Sequence, residues 1–118
     1  MELHASAEFA SRLEFLPETG STNTDLLALA VKSPELWTDF SVLLTDNQTA
    51  GRGRLDREWI AKPGSALAVS VLLRPTTFGI EQFGWLPLLA GLAMQRAVAS
   101  LIEQAEVSLK WPNDVLVN

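Results

Sequence analysis

The residues of this chain best suited to chemistry lie in Gln48-Thr49-Ala50-Gly51-Arg52-Gly53-Arg54, closely followed by Arg57 and Trp59. Glycine lets a backbone take positive φ and approach a ligand closely, and arginine offers a planar fork of donors matched to carboxylate or phosphate oxygens. That is the chemistry of a loop that closes over an anion. Upstream, Gly20-Ser21-Thr22-Asn23 supplies hydroxyl and amide groups that can read a neutral polar ring through both donors and acceptors. Downstream, Lys110-Trp111-Pro112-Asn113-Asp114 sets a cation and an indole beside a stiff turn. The three segments read together as one ligand site.

Each segment also has a purely structural reading. Ser21-Thr22-Asn23 suits a helix cap, the arginine-glycine loop suits a solvated turn, and Lys110 before Pro112-Asn113-Asp114 suits a snorkelling side chain ahead of a hairpin. Several catalytic classes are disfavoured. The loop lacks Gly-x-x-x-x-Gly-Lys-Ser/Thr, which argues against a P-loop nucleotide site. There is no cysteine to serve as nucleophile or metal ligand. His4 is the only histidine and falls in a segment that reads as a mobile terminus, so neither histidine acid–base catalysis nor a metal site is assigned.

With 118 residues, 47% of them hydrophobic and 19% charged, the chain reads as a single soluble domain over residues 1–118. Nine basic residues against 14 acidic give a formal net charge of -5, which argues against a broad basic face for nucleic acid. The positive charge is local: Arg52, Arg54, Arg57 and Lys62 are four of the nine basic residues. No secretory signal pattern stands at the N-terminus, and Phe83 to Leu101 reads as amphipathic rather than membrane-spanning. The expectation is therefore a cytoplasmic protein with no membrane contact.

The elements that must hold these segments follow from local pattern. Arg12 to Leu16 reads as a short strand and Pro17-Glu18-Thr19-Gly20 as a turn. A helix follows, with Thr22 as N-cap, Asp25 closing a box-like start and Leu26, Leu27, Leu29 and Ala30 on its apolar face, and it stops near Ser33-Pro34. Ser41 to Thr45 reads as a buried strand that delivers the chain into the arginine loop. Ala66 to Leu73, almost uniformly apolar, reads as a central strand covered on both faces. Leu88, Gly91, Met94, Val98, Leu101 and Ala105 mark a helix from about Leu88 to Ala105 packed on a sheet, after which Val107 and Leu109 alternate into Lys110. The four tryptophans are expected to divide between core and site.

In the order and spacing of these three segments, the chain resembles the catalytic domain of biotin protein ligases, also called biotin–acetyl-CoA-carboxylase ligases. The likeness runs from about Thr19 to the C-terminus. It implies an α/β fold of the α+β kind, a mixed sheet with helices mainly on one side, related to class II aminoacyl-tRNA synthetases and lipoate ligases. It also implies two-step acyl transfer: biotin and MgATP give biotinyl-5'-AMP and pyrophosphate, then a lysine of an acceptor domain attacks the mixed anhydride. The partners it implies are biotin, ATP with Mg2+ as the substrate complex, and a biotin carboxyl carrier protein, with a homodimer as a compatible assembly.

Carried over by position, the resemblance puts Ser21, Thr22 and Asn23 at the biotin ureido end and Gln48 and Gly51 in the pocket wall. Arg52, Gly53 and Arg54 form the ligand-ordered loop and Trp59 helps to cover the ligand. Lys110 holds the biotin carboxylate and later the adenylate phosphate, so Lys110 and Arg54 are the expected catalytic residues. Asn113 and Asp114 match the motif in a supporting role. Two departures stand out. Leu55-Asp56 replaces the family's small or basic residue and glycine inside the loop, and family members continue through further strands beyond the one that begins at Asp114. Residues 1–118 therefore read as the N-terminal part of such a domain, and Val115-Leu116-Val117 as a truncated strand. Too few residues precede the first strand for a winged helix-turn-helix, so no DNA binding is expected. Lipoate or octanoyl transfer on the same fold, or a catalytically silent biotin-binding fragment, are the alternative readings.

Overall fold

The computed structural model describes residues 2–118, which divide into a unit ending at Pro75 and a unit from Thr76 to Asn118. In chain order the first holds α1 (His4–Phe9), β1 (Arg12–Leu16), α2 (Thr22–Lys32), β2 (Ser41–Thr45), the two-residue strands β3 (Gly51–Arg52) and β4 (Glu58–Trp59), and β5 (Ala68–Leu72). The second holds a 3-10 turn at Ile80–Gln82, α3 (Trp85–Leu101), β6 (Val107–Lys110) and β7 (Asp114–Val117). No described helix is long and apolar enough to cross a membrane.

Three strands form a mixed sheet in the order β1-β2-β5, with β1 parallel to β2 and β2 antiparallel to β5. The parallel pair needs a crossover, and α2 supplies it. Register then sorts the side chains by alternation: Leu43 is opposite Ser70 and Val42 opposite Val71. On the α2 side Leu26, Trp37 and Leu43 form the core, with Leu16, Leu29 and Leu72 packed against it. The Arg12 guanidinium lies 4.6 Å from the Trp37 ring centroid, so the most buried indole also carries a cation on its face.

The central strand β2 is buried at every position, as its apolar run implies. Its neighbour β5 departs from expectation. Ser70 is 5% exposed while Val69 and Val71 are 49% and 45% exposed, so within its unit β5 is covered on one face only. Composition hid this because both faces of the strand carry apolar residues, and a uniform run has no period to read. The terminus also differs from expectation, since His4 opens α1 and its Nε2 lies 3.3 Å from Glu2.

Helix α2 starts as the sequence indicates but is capped one residue earlier. Ser21, not Thr22, is the N-cap, and its hydroxyl accepts from the Thr24 N–H at 3.3 Å. Asp25 is turned to the Thr19 hydroxyl instead of closing a box. Thr22 is thereby freed to point inward, which matters for the site. At the far end Arg74 Nη2 donates to the carbonyls of Ala30 (3.1 Å) and Trp37 (3.4 Å) near the helix terminus.

In the second unit α3 packs on the β6–β7 hairpin. The helix begins at Trp85, with Pro87 in the first turn, where its missing N–H costs nothing, and it ends at Leu101 rather than at Ala105. Glu106 already exchanges both backbone hydrogen bonds with Asn118, so the residues after Leu101 turn the chain back toward the hairpin. The inward seam runs through Leu88, Gly91, Gln95 and Val98, whereas Met94 and Leu101 face outward. Gln95 joins it because its Nε2 donates to the Val107 carbonyl at 2.9 Å.

Gly91 is the tightest point of that packing. A Cβ there would lie 2.8 Å from Asn113 Cα and 3.3 Å from a Leu109 methyl. Alanine in a helix interior normally gains up to about 1 kcal/mol over glycine, but overpacking against backbone costs about 1–3 kcal/mol. Gly91→Ala is therefore expected to destabilise the full-length protein by a net ~1 kcal/mol or more, read as a lowered denaturation midpoint. A raised midpoint would mean that the hairpin turn does not bear on the helix.

Candidate functional site

The Thr19–Gly20 turn and the Gln48 loop run side by side. Thr19 and Gln48 form a parallel bridge, the Thr49 N–H donates to the Thr19 carbonyl at 2.9 Å and the Ala50 N–H to the Gly20 carbonyl at 2.7 Å. This pairing brings two segments distant in sequence to the mouth of α2. It also sets Gln48 over the helix start, where its Oε1 accepts from the Thr22 N–H at 2.9 Å, with the Thr22 hydroxyl 3.4 Å away. A glutamine side chain thus satisfies one of the orphan N–H groups of the first turn.

Ser70 reaches the same cluster from β5. Its Oγ is 2.8 Å from Thr22 Oγ1 and hydrogen-bonds to Asn23 Oδ1. Sequence reading overlooked Ser70, although a signal existed: it is the only polar residue in the run Ala66–Leu73. A lone hydroxyl in a strand otherwise built for burial needs a partner, because an unpaired buried polar group is costly. Thr24, also overlooked, accepts from Arg52 Nη2 at 2.8 Å and ties the loop to the first turn of α2.

The arginine loop is a small hairpin of its own. β3 pairs with β4 in the register Gly51 to Trp59 and Arg52 to Glu58. Between them the Gly53 N–H donates to the Arg57 carbonyl at 2.6 Å and the Arg57 N–H to the Arg54 carbonyl at 3.2 Å. The turn is closed by Leu55 and Asp56, both left-handed at φ 56° and 59°. Aspartate tolerates that region better than leucine does, and both residues occupy a backbone shape suited to glycine. Gly51 is required for a different reason: a Cβ there would come within 2.6 Å of Gln48 Nε2 and 2.9 Å of the Trp59 carbonyl.

Three cavities open around this cluster. One of about 540 Å3 is lined by the loop from Thr49 to Arg52 and from Asp56 to Ile60. A second, about 270 Å3, has Asn23 and Ser70 as its polar side chains against an apolar wall of Leu26, Leu27, Val71, Leu72 and Leu73. A third, about 70 Å3, lies between Gln48, Trp59 and Ala68. Trp59 borders two of them and is largely exposed, as an indole that covers a ligand would be.

Of the residues picked from sequence, the structure brings together Ser21, Thr22, Asn23, Gln48, Gly51, Arg52 and Trp59 in the first unit, with Gly53 and Arg54 on the exposed turn of the loop. Among the described residues, Arg52, Arg54 and Arg57 form no ion pair with any carboxylate. Lys110 belongs to the second unit. There it ends β6 opposite Asp114, exposed, and also forms no ion pair among the described residues. The intervening turn carries a cis Trp111–Pro112 peptide and leaves Trp111 77% exposed. Of the tryptophans, then, only Trp37 is core. No three His, Cys, Asp or Glu side chains among the described residues converge to hold a metal ion.

This arrangement is similar to that of characterised proteins. The model of the Biotin/lipoate A/B protein ligase family matches residues 15–118. A biotin–[acetyl-CoA-carboxylase] ligase of Mycobacterium tuberculosis is 46% identical over 107 residues, covering 89% of this chain and 40% of that protein. The bifunctional ligase/repressor BirA of Bacillus subtilis is 37% identical over 81 residues, covering 66% of this chain and 23% of that protein. Among solved structures, the biotin protein ligase of Aquifex aeolicus in complex with biotin and ATP superposes with a TM-score of 0.72 at 39% identity, covering 89% of this chain and 41% of that one. The chain spans about two fifths of the length of the ligases it matches over most of its own length.

Proposed function

Because the chain belongs to the biotin/lipoate A/B protein ligase family, we propose that residues 1–118 are part of the catalytic domain of a biotin protein ligase. The observation that carries this reading is the cluster of Thr22, Asn23, Gln48 and Ser70 beside a loop whose arginines pair with no carboxylate among the described residues. It joins a neutral hydrogen-bonding end to a cationic end, which is the polarity of biotin itself: a ureido ring at one end, a carboxylate at the other. The solved structure with biotin and ATP bound supports the same assignment.

In this mechanism a biotin carboxylate oxygen attacks the α-phosphorus of ATP, the bond to the leaving pyrophosphate breaks, and biotinyl-5'-AMP forms. The ε-amine of an acceptor lysine, on a biotin carboxyl carrier protein, then attacks the acyl carbon, loses a proton, and AMP leaves. No covalent enzyme intermediate is needed. The protein's task is to orient the two anions and offset the charge that accumulates between them. Ser21, Thr22, Asn23, Gln48 and Gly51 hold the ureido end, Arg52, Gly53 and Arg54 close over the adenylate, and Trp59 covers it. Lys110 neutralises first the carboxylate and then the phosphate. Magnesium enters as part of the nucleotide substrate.

The reading is tested by biotin-dependent exchange of labelled pyrophosphate into ATP in the full-length protein. Exchange with biotin but not with lipoate or octanoate is the expected result. Exchange driven by lipoate or octanoate would assign the other branch of the family, and biotin binding by calorimetry without exchange would make the protein a binding module.

A further inference from the structure

The arginine hairpin carries a neutralising partner that it does not use. Register puts Arg52 of β3 directly opposite Glu58 of β4. Residues so placed on an antiparallel pair project to the same face with their Cβ atoms about 5 Å apart, close enough for opposite charges to pair. Among the described residues, neither of the two forms an ion pair. The Arg52 guanidinium instead leaves the hairpin for α2, where its Nη2 donates to Thr24 Oγ1 at 2.8 Å. Thr24 is held ready for it, because its backbone N–H donates to the Ser21 hydroxyl that caps the helix. A hydroxyl accepts such a bond without cancelling the charge, whereas a carboxylate would accept it and cancel the charge as well.

We propose that Thr24 is a positioning residue for the arginine loop: its hydroxyl draws the Arg52 guanidinium away from Glu58, so that the positive charge is offered to an anionic ligand instead of being neutralised within the hairpin. Thr24 acts through Arg52 and does not itself touch the ligand. The cavity that Arg52 lines also carries Asp56 and Glu58, so the place of this one guanidinium decides how much positive charge that wall presents. An exposed ion pair is weak, and one well-placed hydroxyl is enough to tip the balance. The inference rests on the ligase reading above, in which the anion is the phosphate of the adenylate.

The probe pair is biotinol-5'-AMP, whose stable anionic phosphodiester replaces the mixed anhydride of the adenylate, and biotinol, the neutral alcohol it contains. Thr24→Val is nearly isosteric and removes the acceptor. By calorimetry on the full-length protein, the ratio of biotinol-5'-AMP to biotinol affinity should fall about three- to fivefold in Thr24→Val, the upper range of an exposed ion pair allowed to compete. Thr24→Ser keeps the hydroxyl and should keep the ratio. In a Glu58→Gln background no carboxylate stands opposite Arg52, and there the same Thr24→Val change should leave the ratio nearly unmoved. A ligand-free crystal structure of Thr24→Val should show the Arg52 guanidinium within ion-pair distance of Glu58. A merely structural role for Thr24 would weaken both probes equally and leave the ratio alone, which overturns the inference. An equal fall of the ratio with and without Glu58, or an Arg52 side chain that stays off Glu58 in the variant crystal, also overturns it. A wild-type protein that binds neither probe overturns the functional reading beneath it, and the crystal structure still decides whether Thr24 keeps Arg52 from Glu58.

Discussion

Lys110→Ala in the full-length protein is expected to slow formation of biotinyl-5'-AMP by about 30- to 1000-fold, equivalent to roughly 2–4 kcal/mol of transition-state stabilisation. The size follows from where charge builds up. When a carboxylate meets the α-phosphate two anions converge, and an ammonium held there stabilises the transition state more than either separated substrate. The structure gives Lys110 the properties this role needs. It ends β6, its strand is paired residue for residue with β7, and the turn that follows is pressed against Gly91 of α3. Its ammonium forms no ion pair with any described carboxylate. Lys110→Arg should rescue only in part, because a broad planar fork does not put its charge where a compact ammonium does. Single-turnover measurement of adenylate decides the matter: parent-rate synthesis by Lys110→Ala would remove the lysine from the chemistry.

Arg54→Gly should separate keeping the adenylate from making it. Arg54 lies on the exposed turn of the loop hairpin, after Gly53 and before the left-handed pair Leu55 and Asp56. Its position suits a group that closes over a ligand already formed, whereas Arg52 is tied back to Thr24. Loss of one charge-assisted contact, about 1.5–3 kcal/mol, would speed escape of biotinyl-5'-AMP by roughly one to two orders of magnitude. Synthesis should change much less. The visible consequence is biotin on lysines of bystander proteins, and the measurement is adenylate release after a single turnover. Unchanged release with collapsed synthesis would place Arg54 in the bond-making step instead.

Much of this was legible in the order of residues. Local rules located the strand at Arg12–Leu16, the helix that stops before Pro34, the buried strand Ser41–Thr45 and the hairpin approach through Val107 and Leu109, because apolar period, capping residues and proline act within a few positions. The glycine–arginine loop, the Ser-Thr-Asn segment and the Lys-Trp-Pro-Asn-Asp segment were legible for a related reason. Unusual residue types at fixed spacing express a chemical demand that no packing arrangement is needed to see.

What the tertiary structure alone decided are contacts between residues far apart in the chain. That Ser21 rather than Thr22 caps α2 depends on Gln48, 26 positions beyond Thr22, taking over the Thr22 N–H. That Ser70 belongs to the site depends on an antiparallel register placing it opposite Leu43, on the face that α2 covers. The same register left Val69 and Val71 on the uncovered face, although all three residues stand in one apolar run. Gly91 reads in sequence as one more small residue of an apolar seam, and only the approach of the Asn113 backbone shows why a side chain would not fit. Periodicity tells which residues of an element share a face. It carries no information on which element lies across from that face, because this is set by register and close packing between segments that sequence separates.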